Sequence, residues 1–181
     1  MSTLADRLIN MDDTLQWLFE RGQYPTDDGR AIATQIAEGT MEAVSDGGLK
    51  DGMGTAAGIS KGMQEGEGFR FQHRVPGQDN NQTSYRSELC GILGNVVLLT
   101  CIASHHGITE GKVTLGCDNE AALWKAIGSQ TVNTGEPSSD ILRVIHHHMG
   151  QSGIQWVRKH VKGHQDREVQ TNKQTNKQLT D

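Results

Sequence analysis

The sequence predicts one α/β domain in which a sheet packs against a long apolar helix. Short alternating or glycine-rich segments between residues 41 and 77 indicate strands, and the mostly apolar segment Ser84–Ser104 indicates a buried helix. A third pattern, a strand that runs directly into a helix near residue 118, is half of a βαβ unit. The 181 residues are enough for one domain with a real core, at roughly 150 residues per domain.

The first forty residues are predicted to form two helices around a turn. Apolar residues recur at helical spacing from Leu4 to Leu18, and the sequence YPTDDG at residues 24–29 is dense in turn formers. Residues 1–50 carry 9 acidic and 4 basic side chains. We therefore expect residues 1–40 to form an acidic helical extension ahead of the main domain.

Three strands are predicted next, in a meander. Met41–Ser45 and Gly52–Ile59 form the first two, with Asp46-Gly47-Gly48 as part of the glycine-rich turn between them. The third lies within residues 66–77, where Phe69, Phe71 and His73 alternate with polar residues until Pro76-Gly77 ends the pattern.

The second half of the chain is predicted to alternate helices and strands. Thr83 and Ser84 are cap candidates for the long helix, and Asp118 or Asn119 is the cap candidate for the helix that follows the next strand. Trp124 and Trp156 are interpreted as core residues. The remaining predicted elements are a strand at Lys112–Cys117, a helix at Ala121–Ile127, a helix over residues 138–150 and a strand at Ile154–Val161.

Composition bounds the possible partners and compartment. No stretch approaches the roughly 20 apolar residues of a membrane span, and the N-terminus lacks a secretory pattern, so we expect a soluble intracellular protein without a membrane partner. The three cysteines form no C-x-x-C pair, which argues against a disulfide framework or a thiolate zinc site. The net charge of −5 counts against a nucleic-acid partner, but residues 143–181 carry 7 basic and 3 acidic side chains. Charge alone leaves that question open.

Three carboxylates stand where strands or helices begin or end: Asp46, Glu88 and Asp118. Parallel neighbouring strands would bring Asp46 and Asp118 together, and a helix across the sheet can add Glu88. Clustered carboxylates repel one another and need cations, and hard oxygen ligands favour Mg²⁺ or Mn²⁺. Two such ions about 3.5 to 4 Å apart suit phosphoryl transfer. His164, on a glycine-containing loop, is a fourth candidate.

Each of these residues also has a simpler interpretation. Asp46 before two glycines is often a turn residue, and Glu88 is a charge favoured near a helix N-terminus. Asp118 suits a helix N-cap, which is compatible with metal binding, and His164 by itself is an ordinary loop histidine. Only their occurrence as an ordered set favours a catalytic site.

Four motifs together resemble type 1 ribonuclease H of the kind found in reverse-transcriptase-bearing retroelements. They are VSDGG at residues 44–48, QTSYRSEL at residues 82–89, LGCDN at residues 115–119 and WVRKHVKGHQD at residues 156–166. The resemblance extends over residues 41–166, and we take residues 41–168 as the corresponding domain. It implies a ribonuclease H-like fold: a five-stranded mixed sheet, three antiparallel strands followed by two parallel ones, flanked by helices.

The resemblance also implies an activity and a site. Members of this family hydrolyse the RNA strand of RNA–DNA hybrids with two divalent ions, Mg²⁺ or Mn²⁺. Asp46, Glu88 and Asp118 would be the metal ligands, and His164 would assist proton transfer or product departure. The nucleic-acid contacts would come from the glycine backbone, from a phosphate-binding position and from the basic C-terminal segment. These residues are Gly47, Gly48, Thr83, Asn119, Arg158 and Lys162.

One departure from the family pattern concerns the C-terminal region. The family completes its site with a fourth aspartate on a helix after the histidine loop, and no such motif follows Gln165. Residues 169–181 instead contain the repeat TNKQTNKQ, a low-complexity tail that is predicted to be disordered. The alternative hypothesis is therefore a catalytically impaired relic of a retroelement ribonuclease H that binds nucleic acid.

Overall fold

One mixed sheet forms the centre of the computed structural model, which describes residues 2–128 and 130–162. Its six strands lie in the order β1-β4-β3-β2-β5-β6. The strands are β1 (Arg21–Gln23), β2 (Met41–Lys50), β3 (Met53–Ser60), β4 (Arg70–Arg74), β5 (Gly111–Cys117) and β6 (Ile154–His160). Six helices of α type accompany them: α1 (Leu4–Ile9), α2 (Asp13–Gln16), α3 (Arg30–Glu38), α4 (Ser84–His105), α5 (Glu120–Ala126) and α6 (Ser139–Gln151).

Strand directions confirm the predicted arrangement of three antiparallel strands followed by two parallel ones. β2, β3 and β4 form an antiparallel meander, while β5 is parallel to β2 and β6 is parallel to β5. The predicted strand count of five was wrong by one, because β1 adds to the outer edge of β4. Its three residues are too few to show a period-two pattern, so the sequence carried no signal for it.

The first predicted strand boundary was also wrong. Asp46-Gly47-Gly48 does not form the turn: β2 continues through these residues to Lys50, and the turn is Asp51-Gly52, with φ of 52° and 75°. The glycine at position 47 serves packing instead. A Cβ there would overlap the backbone of Ser87 and Glu88, so its absence lets the first turn of α4 lie directly on β2.

α4 confirms the predicted central helix. It begins after Thr83, whose Oγ1 accepts a hydrogen bond from the Arg86 backbone N–H at 3.0 Å. We predicted that no segment approaches the length of a membrane span, but α4 does, with 22 residues and a mean hydropathy of 1.6 in its most apolar window. That window is 83% buried inside the protein, so α4 is the core helix of the fold.

The first forty residues pack on the same core as the rest of the chain. Leu4, Leu18, Ile32 and Ile36 are all buried within it. The predicted turn at residues 24–29 is followed by α3, which confirms the second predicted helix. The first predicted helix is instead divided into α1, α2 and a 3₁₀ turn at Trp17–Phe19, and β1 follows it. Short elements of this kind are set by tertiary contacts rather than by periodicity. The division of the chain at residue 40 stays a prediction.

A buried arginine joins α4 to α6. The guanidinium of Arg86, 7% exposed, donates two hydrogen bonds of 2.8 Å to the carboxylate of Asp140 and one of 2.8 Å to the carbonyl of Pro76. The hydrogen bonds from Arg86 are the largest cause of a lowered pKa for the Asp140 carboxyl. The pair therefore holds the start of α6 against the start of α4.

Removing the Asp140 carboxylate is expected to destabilise the protein. Asp140→Ala should lower the free energy of unfolding at pH 7 by about 1–2 kcal/mol, since one side of the pair is exposed. A carboxyl with a lowered pKa stabilises the fold above its unfolded pKa of about 3.9 and loses that contribution as pH falls through its folded pKa. The free energies of unfolding of the parent and of Asp140→Ala, measured with urea, should therefore become equal as pH falls from about 5 to about 2.

Asp13→Ala is the matched control, because Asp13 is an exposed acidic residue in the first turn of α2. It should change the free energy of unfolding by less than about 0.5 kcal/mol. Equal effects of the two substitutions would show that the Arg86 contact contributes nothing.

Candidate functional site

The carboxylates of the predicted site meet beside the paired strands β2 and β5. These strands are parallel, with Val44 opposite Gly116, so Asp46 and Asp118 follow two residues later at the same end. Glu88 enters from the first turns of α4, where the close contact of that helix with Gly47 holds it. Carboxylate oxygens of Glu88 and Asp118 lie within 4.8 Å of each other, and the negative charge of Asp46 also acts on Glu88. We call Asp46, Glu88 and Asp118 the carboxylate cluster.

Glu88 is the buried member of this cluster, with 6% of its surface exposed. Burial raises its pKa to about 8, and the negative charges of Asp118 and Asp46 act in the same direction. A hydrogen bond of 3.1 Å from the Cys117 thiol to Oε2 opposes this shift only in part. Without a cation, a large fraction of Glu88 is therefore protonated at neutral pH.

Cys117 lies beside the predicted carboxylates, although the sequence analysis gave it no role among them. Donor atoms of Glu88, Cys117 and Asp118 all lie within 4.8 Å of one another. Burial raises the pKa of the thiol, and the nearby carboxylates raise it further. Cys117 is therefore a hydrogen-bond donor to Glu88. Its position directly before Asp118, at the end of a buried strand, was the available signal.

The predicted nucleic-acid-binding residues near the carboxylates lie within β2 or at the starts of helices. Gly47 and Gly48 lie within β2, with the second glycine beside Thr55 of β3. Thr83 caps α4, and Asn119 caps α5 through a hydrogen bond of 2.9 Å from the Ala122 N–H to its Oδ1. Of the two predicted cap candidates, Asp118 and Asn119, the structure shows that Asn119 caps this helix.

The end of β6 lies beside Asp118. The imidazole of His160 is 2.9 Å from the Asp118 carbonyl and 3.2 Å from the Glu120 carboxylate. The sequence analysis did not select His160 as a residue near Asp118. These contacts tie β6 to the start of α5. Lys162 is exposed just beyond the strand, while His164 lies outside the described residues, as does the tail at residues 169–181.

Arg158 and Trp124 form an exposed pair near this edge. The guanidinium carbon stands 3.5 Å from the centroid of the indole ring, and one nitrogen donates to the Ile127 carbonyl at 3.3 Å. Trp124 is 52% exposed, so its prediction as a core residue was wrong. The short helix α5 turns Ala122, Leu123 and Ala126 inward, which directs this ring outward. Trp156 is half-buried against the core, as predicted.

Comparisons with known proteins found similarity at the level of structure. No protein-family model and no curated protein sequence matches the chain. A ribonuclease H1 isolated from compost is 17% identical, with a TM-score of 0.49 over 77% of this chain and 97% of that one. The ribonuclease H1 of Halobacterium salinarum is 13% identical, with a TM-score of 0.40 over 67% of this chain and 84% of that one.

A further solved structure, a ribonuclease H1 in complex with an RNA/DNA hybrid, is 13% identical, with a TM-score of 0.45 over 66% of this chain and 85% of that one. The fold assignment rests on the strands of this chain: a meander β4-β3-β2 continued by the parallel strands β5 and β6, with α4 across them. This is a ribonuclease H-like fold. Within that fold, Asp46 lies on β2, Glu88 lies on α4 and Asp118 follows directly after β5.

The buried carboxyl of Glu88 is expected to destabilise the cation-free protein at neutral and alkaline pH. A raised pKa means that the folded state favours the protonated form, so stability falls as pH rises from about 4.3 towards 8. In EDTA, Glu88→Gln should therefore be more stable than the parent at pH 8, on the order of 3 kcal/mol, and equally stable near pH 4. Urea unfolding across this pH range measures the difference.

Glu110→Gln, at an exposed glutamate, controls for the general loss of one charge. Millimolar Mg²⁺ should reduce the difference in free energy of unfolding between the parent and Glu88→Gln, since a bound cation stabilises the ionised carboxylate. A difference in free energy of unfolding that does not change with pH would contradict the raised pKa of Glu88.

Proposed function

We propose that this protein hydrolyses the RNA strand of RNA–DNA hybrids with two divalent metal ions, Mg²⁺ or Mn²⁺. The observation that carries the proposal is the cluster of Asp46, Glu88 and Asp118 on β2, α4 and the end of β5. Like charges gathered in a half-buried site are costly in the absence of a cation, so they indicate a binding function rather than a structural one.

The residues of the cluster fit hard divalent cations. Asp46, Glu88 and Asp118 offer carboxylate oxygens, and the Cys117 thiol is held in its protonated form, which is a poor metal ligand. Bound there, two such ions would supply Lewis-acid stabilisation of charge on a phosphoryl group. Because a metal-bound state favours ionised Glu88, cation binding would release protons at neutral pH.

The helix-capping residues retain donors for a phosphate. Thr83 Oγ1 accepts a hydrogen bond from Arg86, which leaves its hydroxyl proton free to donate outward. The side-chain amide of Asn119 is similarly left to donate, because only its oxygen is used by the cap. Both residues are thus proposed to orient the nucleic-acid backbone near the carboxylates, together with Arg158 and Lys162.

Two further roles are proposed from the motifs. The missing side chain of Gly48 would allow close approach to the minor groove where 2′-hydroxyls are read, whereas the first turn of α4 covers the corresponding side of Gly47. His164 would assist proton transfer or product departure. The motifs resemble the version of this domain found in reverse-transcriptase-bearing retroelements, so a retroelement origin is part of the proposal. The alternative hypothesis of a binding relic predicts hybrid binding without turnover.

Hybrid cleavage tests the proposal. With Mg²⁺ or Mn²⁺, the protein should cut the RNA strand of a labelled hybrid, and EDTA should abolish cutting. Asp46→Asn and Asp118→Asn should each lower the cleavage rate at least about a hundredfold, since each removes a ligand worth several kcal/mol of charge stabilisation.

Asp79→Asn is the control, because Asp79 is an exposed acidic residue on a short 3₁₀ turn outside the cluster. Its cleavage rate should equal that of the parent. Cleavage that persists in Asp46→Asn or in EDTA would overturn the assigned site. Hybrid binding without cleavage in either metal would support the relic hypothesis instead.

A further inference from the structure

A concave surface at the far edge of the sheet carries two arginines. This arginine pocket has a volume of about 520 Å³. Its polar lining comes mainly from Arg21 of β1, Thr55 of β3, and Gln72 and Arg74 of β4. The Trp17 indole forms an apolar wall. Among the described residues that line the pocket, Glu20 is the one carboxylate.

The two arginines are available to a ligand. Both are exposed, and neither guanidinium makes a hydrogen bond or ion pair to any of the residues that the structure describes. His73 also lines the pocket, and its burial lowers the pKa of the imidazole, so it adds no positive charge at neutral pH. The pocket therefore carries a net positive charge within a protein of net charge −5.

Three polar residues of the pocket, Arg21, Gln72 and Arg74, lie on the same face of the sheet as Asp46, and the pocket extends around the sheet edge to His73. The register pairs Arg21 with Gln72, Gln72 with Ala57, and Ala57 with Asp46, and directly paired residues point to the same face. Burial agrees, since Phe71 and His73 are buried on the opposite face while Arg70, Gln72 and Arg74 are exposed. One cross-strand row thus runs from the pocket to the carboxylate cluster.

The distance from Arg21 to Asp46 along this row corresponds to several base pairs of a nucleic-acid duplex. Three strand spacings of about 4.8 Å separate Arg21 from Asp46, which is about 14 Å. At about 3.4 Å per base step, that distance corresponds to roughly four base pairs. Thr55, which lines the pocket, pairs with Gly48 of β2, and Gly48 lies two residues from Asp46.

We propose that the arginine pocket binds backbone phosphates of the same nucleic acid, about four base pairs from the carboxylate cluster. This inference rests on the proposed function and deepens it, because it names a second contact that positions the hybrid. The arginines supply charge-assisted hydrogen bonds to phosphate oxygens, and the Trp17 ring supplies an apolar surface for a sugar. Such contacts add affinity and register but no sequence preference.

Salt-dependent binding of a labelled RNA–DNA hybrid in EDTA tests this proposal. The double variant R21Q/R74Q should bind more weakly than the parent, on the order of tenfold or more, and the slope of log affinity against log salt should fall by about 2. R30Q/R143Q is the matched control, because it removes the same charge from exposed arginines on α3 and α6. Its slope should match that of the parent.

Rescue and folding measurements complete the experiment. R21K/R74K should recover the salt slope, and thermal unfolding should show all variants folded, with the single variant R74Q available if the double variant is unstable. Equal binding by R21Q/R74Q and R30Q/R143Q would overturn the arginine pocket even if the hybrid is cleaved. Conversely, a difference between them without cleavage by the parent would leave the pocket in place and overturn the proposed hydrolysis.

Discussion

The contact between α4 and β2 at Gly47 is the constraint on which the site depends. With no Cβ at this position, the backbone of Ser87 and Glu88 can lie directly on the strand. A larger residue would push the helix outward and carry Glu88 away from Asp118 and Asp46. The same contact explains why β2 runs straight through a sequence that otherwise has the composition of a turn.

This close packing has an electrostatic cost. Glu88 is buried beside two other carboxylates, and its pKa rises to about 8 as a result. The Cys117 thiol offers one hydrogen bond, which offsets the cost only in part. Carboxylates buried together at such a cost are typical of sites where function rather than stability has determined the residues.

Periodicity in the sequence was sufficient for the long elements. The apolar run of α4, the alternation around Phe71 and the capped start of α5 are local patterns, and each lies where it was predicted. The edge strand β1 and the 3₁₀ turn at Trp17–Phe19 have no such pattern, because their conformation comes from contacts with β4. Trp124 was misassigned because its ring direction depends on how α5 rests on its neighbours.

The sequence alone predicted the long elements and the three candidate carboxylates, because these depend on local pattern and chemical type, and the family resemblance implied the strand directions. Only the tertiary structure decided that β2 extends to Lys50, that Cys117 donates to Glu88, and that Arg21 shares a sheet face with Asp46. These features depend on contacts between residues that are distant in sequence, and local sequence patterns do not predict such contacts.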